Sequence, residues 1–407
     1  IINVMDIKSL ITSEYVSYGH ADKVADQISD AILDAYIEED ENTRAKIETM
    51  VKDNIVVVSG WVKTNSYVDV EKVIRIAMEN VGYPETHNLN GNDIKIINLI
   101  DKKTDEISIV DDKDDCDLNV DQGFMVGFAS NETNEFLPLG VYIAREICKG
   151  VNMLYSLGPD VKTQVCVKYD GSRPKVESIT VSTMHSEEIS VDEVRTLVKE
   201  LIKRNRVMND HVMNDGIHNS FIANNSKIKF HINENGARNI GGPMSDCGLT
   251  GRKIVVDQYG GYCNVGGGSF SGKDMSNLDR SAAYMCRYLA KNIVNTDIAD
   301  AAKVELTYDG SKPEPCAINV ELINPVNSSI GLKRCIEKYI KDNVDLTPKG
   351  IICKFFPCGI KPIFYNAARN GHFGYNDNDT YYPWEKIDFS NKLKEYVDEK
   401  ELSIIEF

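Results

Sequence analysis

Apolar residues recur at two distinct periods along this chain. From Asp22 to Glu39, Val24, Ile28, Ala31, Ile32, Ala35 and Tyr36 fall three or four positions apart, which predicts a helix with one buried stripe. Gly19-His20-Ala21-Asp22 then stands at its N-terminus. Elsewhere the period is two. Residues 164–183 read QVCVKYDGSRPKVESITVST, two alternating runs joined by Asp-Gly, the signal of a hairpin. Residues 303–323 read KVELTYDGSKPEPCAINVELI, the same hairpin with nearly the same turn, and Ala45–Thr64 is a weaker copy turning at Lys52-Asp53-Asn54. Each hairpin precedes an amphipathic helix. The stripes are Val70, Val73, Ile74, Ala77, Met78, Val81; then Val194, Leu197, Val198, Leu201, Ile202; then Leu332, Cys335, Ile336, Tyr339, Ile340.

Three hairpin-plus-helix units predict an α+β protein of three small layers, with helices covering one face of each sheet. The other face must pack on another unit or another chain. Ile254-Val255-Val256 reads as a short buried strand between glycine-rich loops. Residues 101–121, DKKTDEISIVDDKDDCDLNVD, are acidic and aperiodic, the pattern of a lid or a loop without fixed structure.

Composition narrows the function. At 407 residues the chain is long enough for two or three domains. A net charge of −16 argues against nucleic-acid binding, yet leaves room for a few cations to converge on a small anion. No run approaches the roughly 20 apolar residues that span a bilayer. Ile1–Leu10 resembles no secretory leader, so a cytoplasmic location is expected. Ten cysteines are scattered without a CxxC pair; Cys353 and Cys358 stand too far apart for a zinc knuckle, so reduced thiols are expected.

The densest chemistry lies in Gly241–Asp279, GGPMSDCGLTGRKIVVDQYGGYCNVGGGSFSGKDMSNLD. Two glycine-rich loops end in cations, Arg252-Lys253 and Lys273, a pattern that lets backbone approach phosphate oxygens while the cations neutralise them. Gly267–Lys273 fits GxxxxGK, but Asp274 stands where a P-loop needs Ser or Thr, which disfavours an ordinary P-loop nucleotidase. Ser17-Tyr18-Gly19-His20-Ala21-Asp22-Lys23 could place a proton donor and a magnesium ligand beside a phosphate, although His-x-Asp at a helix start is also an ordinary cap.

Several longer signatures carry a resemblance. ITSEYVSYGHADKVADQISDAILDA, VDQGFMVGFASNET, STMHSEE, GGPMSDCGLTGRKIVVDQYGG, GGGSFSGKD, DRSAAYMCRYLAKNIV and the GHFG and YPWEK segments resemble, in order, those of S-adenosylmethionine synthetases. That resemblance implies three α+β domains related by pseudo-threefold symmetry: 1–18 with 132–239, 19–104 with 240–281, and 105–131 with 282–407, with 105–121 a mobile loop. It implies a homodimer, with a dimer of dimers left open, that buries flat sheet faces. It also implies attack of methionine sulfur on C5′ of ATP, followed by cleavage of the triphosphate to phosphate and diphosphate. His20, Lys162, Arg252, Lys253 and Lys273 resemble the catalytic and phosphate-binding residues. Asp121, Asp160, Arg238, Asp246 and Ser269 fall at nucleotide-binding positions. Asp22 and Asp279 resemble the Mg2+ carboxylates, and Glu48 the K+ glutamate.

The departures from the family pattern cluster. Trp61 stands in place of a glutamate that meets methionine's amino group, Lys103 in place of a glutamine, and Asn277 in place of a lysine. With Asp246 these form the expected amino-acid subsite. Ala237-Arg238 replaces an Arg-Phe pair whose ring stacks on adenine, and Tyr18 and Ala21 replace Glu and Pro around the histidine. Arg238 could still stack on a base as a guanidinium plane. The phosphate set is whole while the adenine and amino-acid ends are rebuilt. Four readings follow: a methionine adenosyltransferase; the same chemistry on another nucleotide or nucleophile, water included; a non-catalytic subunit paired with an intact paralogue; or an unrelated nucleotidase.

Overall fold

The computed structural model describes residues 10–89, 91–103, 121–169, 174–204, 211–212, 218–219, 228–326, 330–375 and 381–405. In chain order its first elements are β1 (Leu10–Val16), α1 (Ala21–Glu39), β2 (Arg44–Lys52), β3 (Ile55–Lys63), α2 (Val70–Val81), β4 (Lys95–Lys102), β5 (Gly123–Ser130) and α3 (Leu139–Asn152). Then come β6 (Leu157–Lys168), β7 (Lys175–His185), α4 (Val191–Arg204), β8 (His211–Val212), β9 (His218–Asn219), β10 (Lys229–Ile232), β11 (Gly248–Leu249) and α5 (Ile254–Asp257). The last are α6 (Leu278–Val294), β12 (Ala299–Tyr308), β13 (Ala317–Pro325), α7 (Ile330–Asn343), α8 (Pro348–Phe355), α9 (Phe364–Asn370) and α10 (Ser390–Ile405).

The three predicted hairpins are present. β2–β3, β6–β7 and β12–β13 pair antiparallel, and each is followed by its helix, α2, α4 or α7. Each nucleates a separate sheet, in the orders β11-β2-β3-β4, β1-β6-β7-β10 and β13-β12-β5. Asp53 carries the left-handed φ of +51° that closes the β2–β3 turn, a conformation Asp tolerates well. Of the acidic segment, residues 104–120 lie outside the described residues.

Helices cover one face of each sheet: α1 packs on β2, α3 on β1 and β6, and α6 on β5 and β12. In β2 the alternation is strict, with Ala45, Ile47 and Val51 buried under α1 while Lys46 and Met50 face outward. Across the register Met50 faces Val57 and Val57 faces Ile97, so this second face is apolar and uncovered within one chain, with Ile97 49% and Leu99 59% exposed.

Two sequence expectations needed revision. Ile254-Val255-Val256 is not a strand but the short helix α5. Asp257 N–H donates to Lys253 O and Gly260 N–H to Val255 O, so the glycine turns on either side wind this β-branched run locally. Helix α1 is buried well beyond one stripe: Lys23, Asp26, Gln27, Ser29 and Asp30 are buried as deeply as its apolar residues, because α2, β2 and α9 pack around it. No helix among the described residues is long and apolar enough to cross a membrane. The cysteines among them are free thiols.

Candidate active site

The site forms where the start of α1 meets the two glycine-rich loops. His20 is the N-cap of α1, and its Nδ1 accepts the N–H of Asp22 at 3.2 Å. That fixes the imidazole proton on Nε2 while the ring is neutral. Burial pushes the His20 pKa below its ordinary value, opposed by the charge of Asp160 and reinforced by Lys253.

Asp22 stands in the first turn of α1, where an anion meets the positive helix end. One oxygen accepts the Leu249 N–H at 3.0 Å and lies 3.5 Å from Arg252; the other is hydrogen-bonded to Lys253 Nζ. Burial alone would raise this carboxyl, but the Lys253 and Leu249 hydrogen bonds hold it below the usual carboxylate range. The first loop thereby delivers both of its cations to the end of α1.

The second loop closes on the first. A Cβ on Gly251 would stand 2.6 Å from Ser269 Oγ, so only glycine allows the approach, and its φ of +79° demands glycine as well. Lys273 Nζ pairs with Asp279 at 2.8 Å, and Lys273 also bridges to Lys46 in β2. Glu48, two residues along β2, has its pKa raised by burial, with the neighbouring charge of Lys273 opposing that rise. Asp274 is not available as a metal ligand of P-loop type: its two oxygens accept the backbone N–H groups of Ala45 and Ser276.

Asp160 is buried and ties Arg238 to the start of the first loop. Its Oδ2 takes Arg238 Nη2 at 2.6 Å and the Gly242 N–H at 2.8 Å. The charges of Asp160 and Arg238 both act on His20. Arg238 is thus held by an ion pair rather than left as a free stacking plane.

The remaining predicted residues make contacts of their own. Lys162 pairs with Glu14 across β1 and β6 at 3.2 Å. Asp246 and Asp121 are exposed, each accepting the N–H of the residue that follows it. Asn277 is the N-cap of α6, its side chain accepting the Asp279 N–H at 3.0 Å. Trp61 lies opposite Lys46 and Asp101 on the uncovered sheet face, and Lys103 Nζ sits 4.0 Å above its ring centroid. Two of the residues that depart from the family pattern therefore contact each other. A second pair of contacts involves Tyr18, whose ring lies 3.9 Å from the Arg369 guanidinium.

Asp22 and Asp279 offer carboxylate oxygens of the kind that a hard divalent cation takes. Mg2+ is usually held by one or two carboxylates, with water and substrate phosphate completing the shell. Asp22 and Asp279 are two such carboxylates beside cations of the kind that bind phosphate, and no group of three or more His, Cys, Asp or Glu among the described residues forms an all-protein cage.

Sequence reasoning missed a buried ionic layer beneath the loops: Lys23 between Asp26 and Asp257, and Arg280 on Asp30. The signal was legible, since Asp22, Asp26, Asp30 and Asp34 recur every fourth residue on a helix.

Comparison with known proteins places the whole chain. Family models match for the S-adenosylmethionine synthetase N-terminal domain over residues 8–105, the central domain over 119–237 and the C-terminal domain over 240–386. The chain belongs to the S-adenosylmethionine synthetase family. An S-adenosylmethionine synthase of Mycoplasmopsis pulmonis is 40% identical over 397 residues, covering 96% of this chain and 99% of that protein. A structure described as an unusual S-adenosylmethionine synthetase from Campylobacter jejuni superposes with a TM-score of 0.81 at 30% identity, covering 96% of this chain and all of that one. The family and the α+β fold expected from the signatures both hold. The activity is that of a methionine adenosyltransferase, a transferase of S-adenosylmethionine biosynthesis.

Proposed function

We propose that the centre between α1 and the two glycine-rich loops binds the triphosphate of ATP and stabilises it as a leaving group while L-methionine attacks C5′. The observation that supports this most is the convergence of His20, Arg252 and Lys253 on Asp22, with Ser269 of the Lys273–Asp279 loop touching the same turn. Sulfur donates its electron pair to C5′, the C5′–O5′ bond breaks, and the electrons leave on the triphosphate. Such a displacement needs charge neutralisation of the leaving oxygen more than a protein nucleophile.

In this reading Lys253 and Lys273 exchange their carboxylate partners for phosphate oxygens when substrate binds. His20 donates its Nε2–H to the departing chain, and Lys162 and Arg252 neutralise its outer phosphates. Asp22 and Asp279 hold Mg2+, which supplies Lewis-acid neutralisation of phosphate charge. Glu48, a single half-buried carboxylate, is the K+ ligand. Asp121, Asp160, Arg238, Asp246 and Ser269 contact the nucleoside. Trp61, Lys103, Asn277 and Asp246 border the amino acid. Water then attacks a terminal phosphorus of the released triphosphate, the P–O bond to the remaining diphosphate breaks, and phosphate and diphosphate leave.

The working unit is a homodimer, supported by the apolar face bearing Met50, Ile55, Ile97 and Leu99, each 39–59% exposed in one chain. The domains are 1–18 with 132–239, 19–104 with 240–281 and 105–131 with 282–407, the last boundary falling within α6, and the protein works in the cytoplasm. The test is a product assay with each of the four nucleoside triphosphates, with and without methionine, in the presence of Mg2+. S-adenosylmethionine, phosphate and diphosphate are expected from ATP. Absence of phosphate and diphosphate with every triphosphate would refute the reading.

A further inference from the structure

Helix α1 makes one kind of contact four times. Asp22 Oδ1 accepts the Leu249 N–H at 3.0 Å, Asp26 Oδ1 the Gly251 N–H at 2.8 Å, and Asp30 Oδ1 the Gly272 N–H at 2.8 Å. Asp34 accepts the N–H groups of Phe364 and Tyr365 at 3.1 and 2.7 Å. Positions four apart lie on one helix face about 6 Å from one another. The helix is therefore a ladder of acceptors, and each rung grips the backbone of a different part of the chain. Asp26 and Asp30 are fully buried and stand too deep to meet substrate.

Their second oxygens are also engaged, Asp26 by Lys23 at 3.0 Å and Asp30 by Arg280 at 2.6 Å. Both gripped glycines have left-handed φ, +79° at Gly251 and +80° at Gly272, and both immediately precede loop cations, Arg252-Lys253 and Lys273. A left-handed residue turns its N–H sharply out of line, so a fixed acceptor there sets where the next side chain points.

Building on the proposed triphosphate site, we propose that Asp26 and Asp30 are positioning residues that act through Gly251 and Gly272. They hold the two cation-bearing loops on one rigid rail, so that Lys253 and Lys273 keep a fixed mutual spacing. Two loops anchored to separate elements would drift relative to one another; two loops anchored to successive turns of one helix do not.

The probe is inorganic tripolyphosphate, measured by its inhibition constant against ATP on the intact enzyme, alongside the KM of methionine. Asp26→Asn keeps an acceptor for the Gly251 N–H, whereas Asp26→Leu removes it at similar volume. Losing a charge-assisted bond lowers affinity about tenfold to hundredfold. Asp26→Leu should therefore weaken tripolyphosphate about tenfold or more, with Asp26→Asn within about threefold of the parent and the methionine KM unchanged in both. Should the leucine variant not fold, Asp26→Ser, which is polar but too short to reach Gly251, takes its place with the same expected loss. Lys253→Ala and Lys273→Ala are run alongside. If they weaken tripolyphosphate while both Asp26 variants bind it like the parent, the rail is overturned and the site stands. If the lysine variants also bind it normally, the triphosphate site and the rail fall together.

Discussion

Trp61 and Lys103 allow a sharp test of how the amino-acid end of this site works. Lys103 Nζ lies 4.0 Å above the Trp61 ring, on the sheet face left uncovered by the chain's own helices. Replacing Trp61 by glutamate offers a carboxylate to methionine's ammonium, a charge-assisted contact worth about 1.5–3 kcal/mol. With Lys103 still in place, however, the new carboxylate stands beside an ammonium that can pair with it. Such a partly exposed pair is worth about 0.2–1 kcal/mol and competes with substrate for the same oxygens. Trp61→Glu alone should therefore fall short of the double variant by that competition, about 1.4- to 5-fold in methionine KM. Lys103→Gln alone removes a cation–π contact of about 0.5–1 kcal/mol without offering any ammonium partner, so it too should leave the KM nearly unchanged. Together the substitutions should lower the methionine KM about tenfold or more, since roughly 1.4 kcal/mol is a factor of ten. The assay is steady-state S-adenosylmethionine formation at saturating ATP, with single-turnover rates to show that KM follows binding. A double variant whose KM lies within twofold of the parent would refute the reasoning, as would a single Trp61→Glu that gains the whole effect.

Lys273→Ala and Asp279→Asn should each slow turnover about 10²–10³-fold while circular dichroism stays native, because Lys273 would neutralise the leaving group directly and Asp279 through the Mg2+ it would hold; near-parental turnover in both would misplace the triphosphate. Burial holds the His20 pKa below its usual value, so the native chain takes up this proton at lower pH than the unfolded chain, whose histidine titrates near 6.5. The stability that neutral His20 contributes is therefore full above pH ~6.5 and lost as pH falls through the folded value. Urea midpoints at pH 7.5 and 5.5 should differ less in His20→Gln than in the parent. Light scattering at micromolar concentration should give a dimer, and Leu99→Lys with Ile97→Lys on the uncovered face should shift it toward monomer with loss of activity; an active parental monomer would contradict this.

Much of the fold was legible because its repeat is written twice over, in periodicity and in turn chemistry. The Asp-Gly turn pair at 170–171 and 309–310 and the alternating runs beside it marked two hairpins, and the β2–β3 copy needed only Asp53 in a left-handed turn. The loop cations were legible too, since Arg252, Lys253 and Lys273 each follow glycines. Helix α1 was read only halfway. Its apolar stripe announced a helix, but hydropathy periodicity assigns polar residues to solvent, whereas Asp26 and Asp30 are buried against backbone N–H groups. Val255 and Val256 misled for the opposite reason: β-branched residues favour strands on average, and flanking glycine turns overrode that preference here. Nor could a single sequence tell that Trp61 touches Lys103, because contact between residues this far apart is a property of the β3–β4 register.

The way the sheets are stitched together bears on how the chain is made. β1 waits for β6, β2 for β11 almost two hundred residues later, and β5 for β12 across a comparable stretch. As the chain leaves the ribosome, the sheet that carries the α1 rung positions lacks its β11 edge until residue 249 has emerged, and Asp34 lacks its partners until Tyr365 follows. Nearly the whole polypeptide must be available before this centre can close, and β1 and β5 stay unpaired until β6 and β12 have been made. Pairings of this range fold slowly and expose such strands to aggregation. Production of this enzyme should therefore depend on chaperone capacity more steeply than its folded stability alone would suggest.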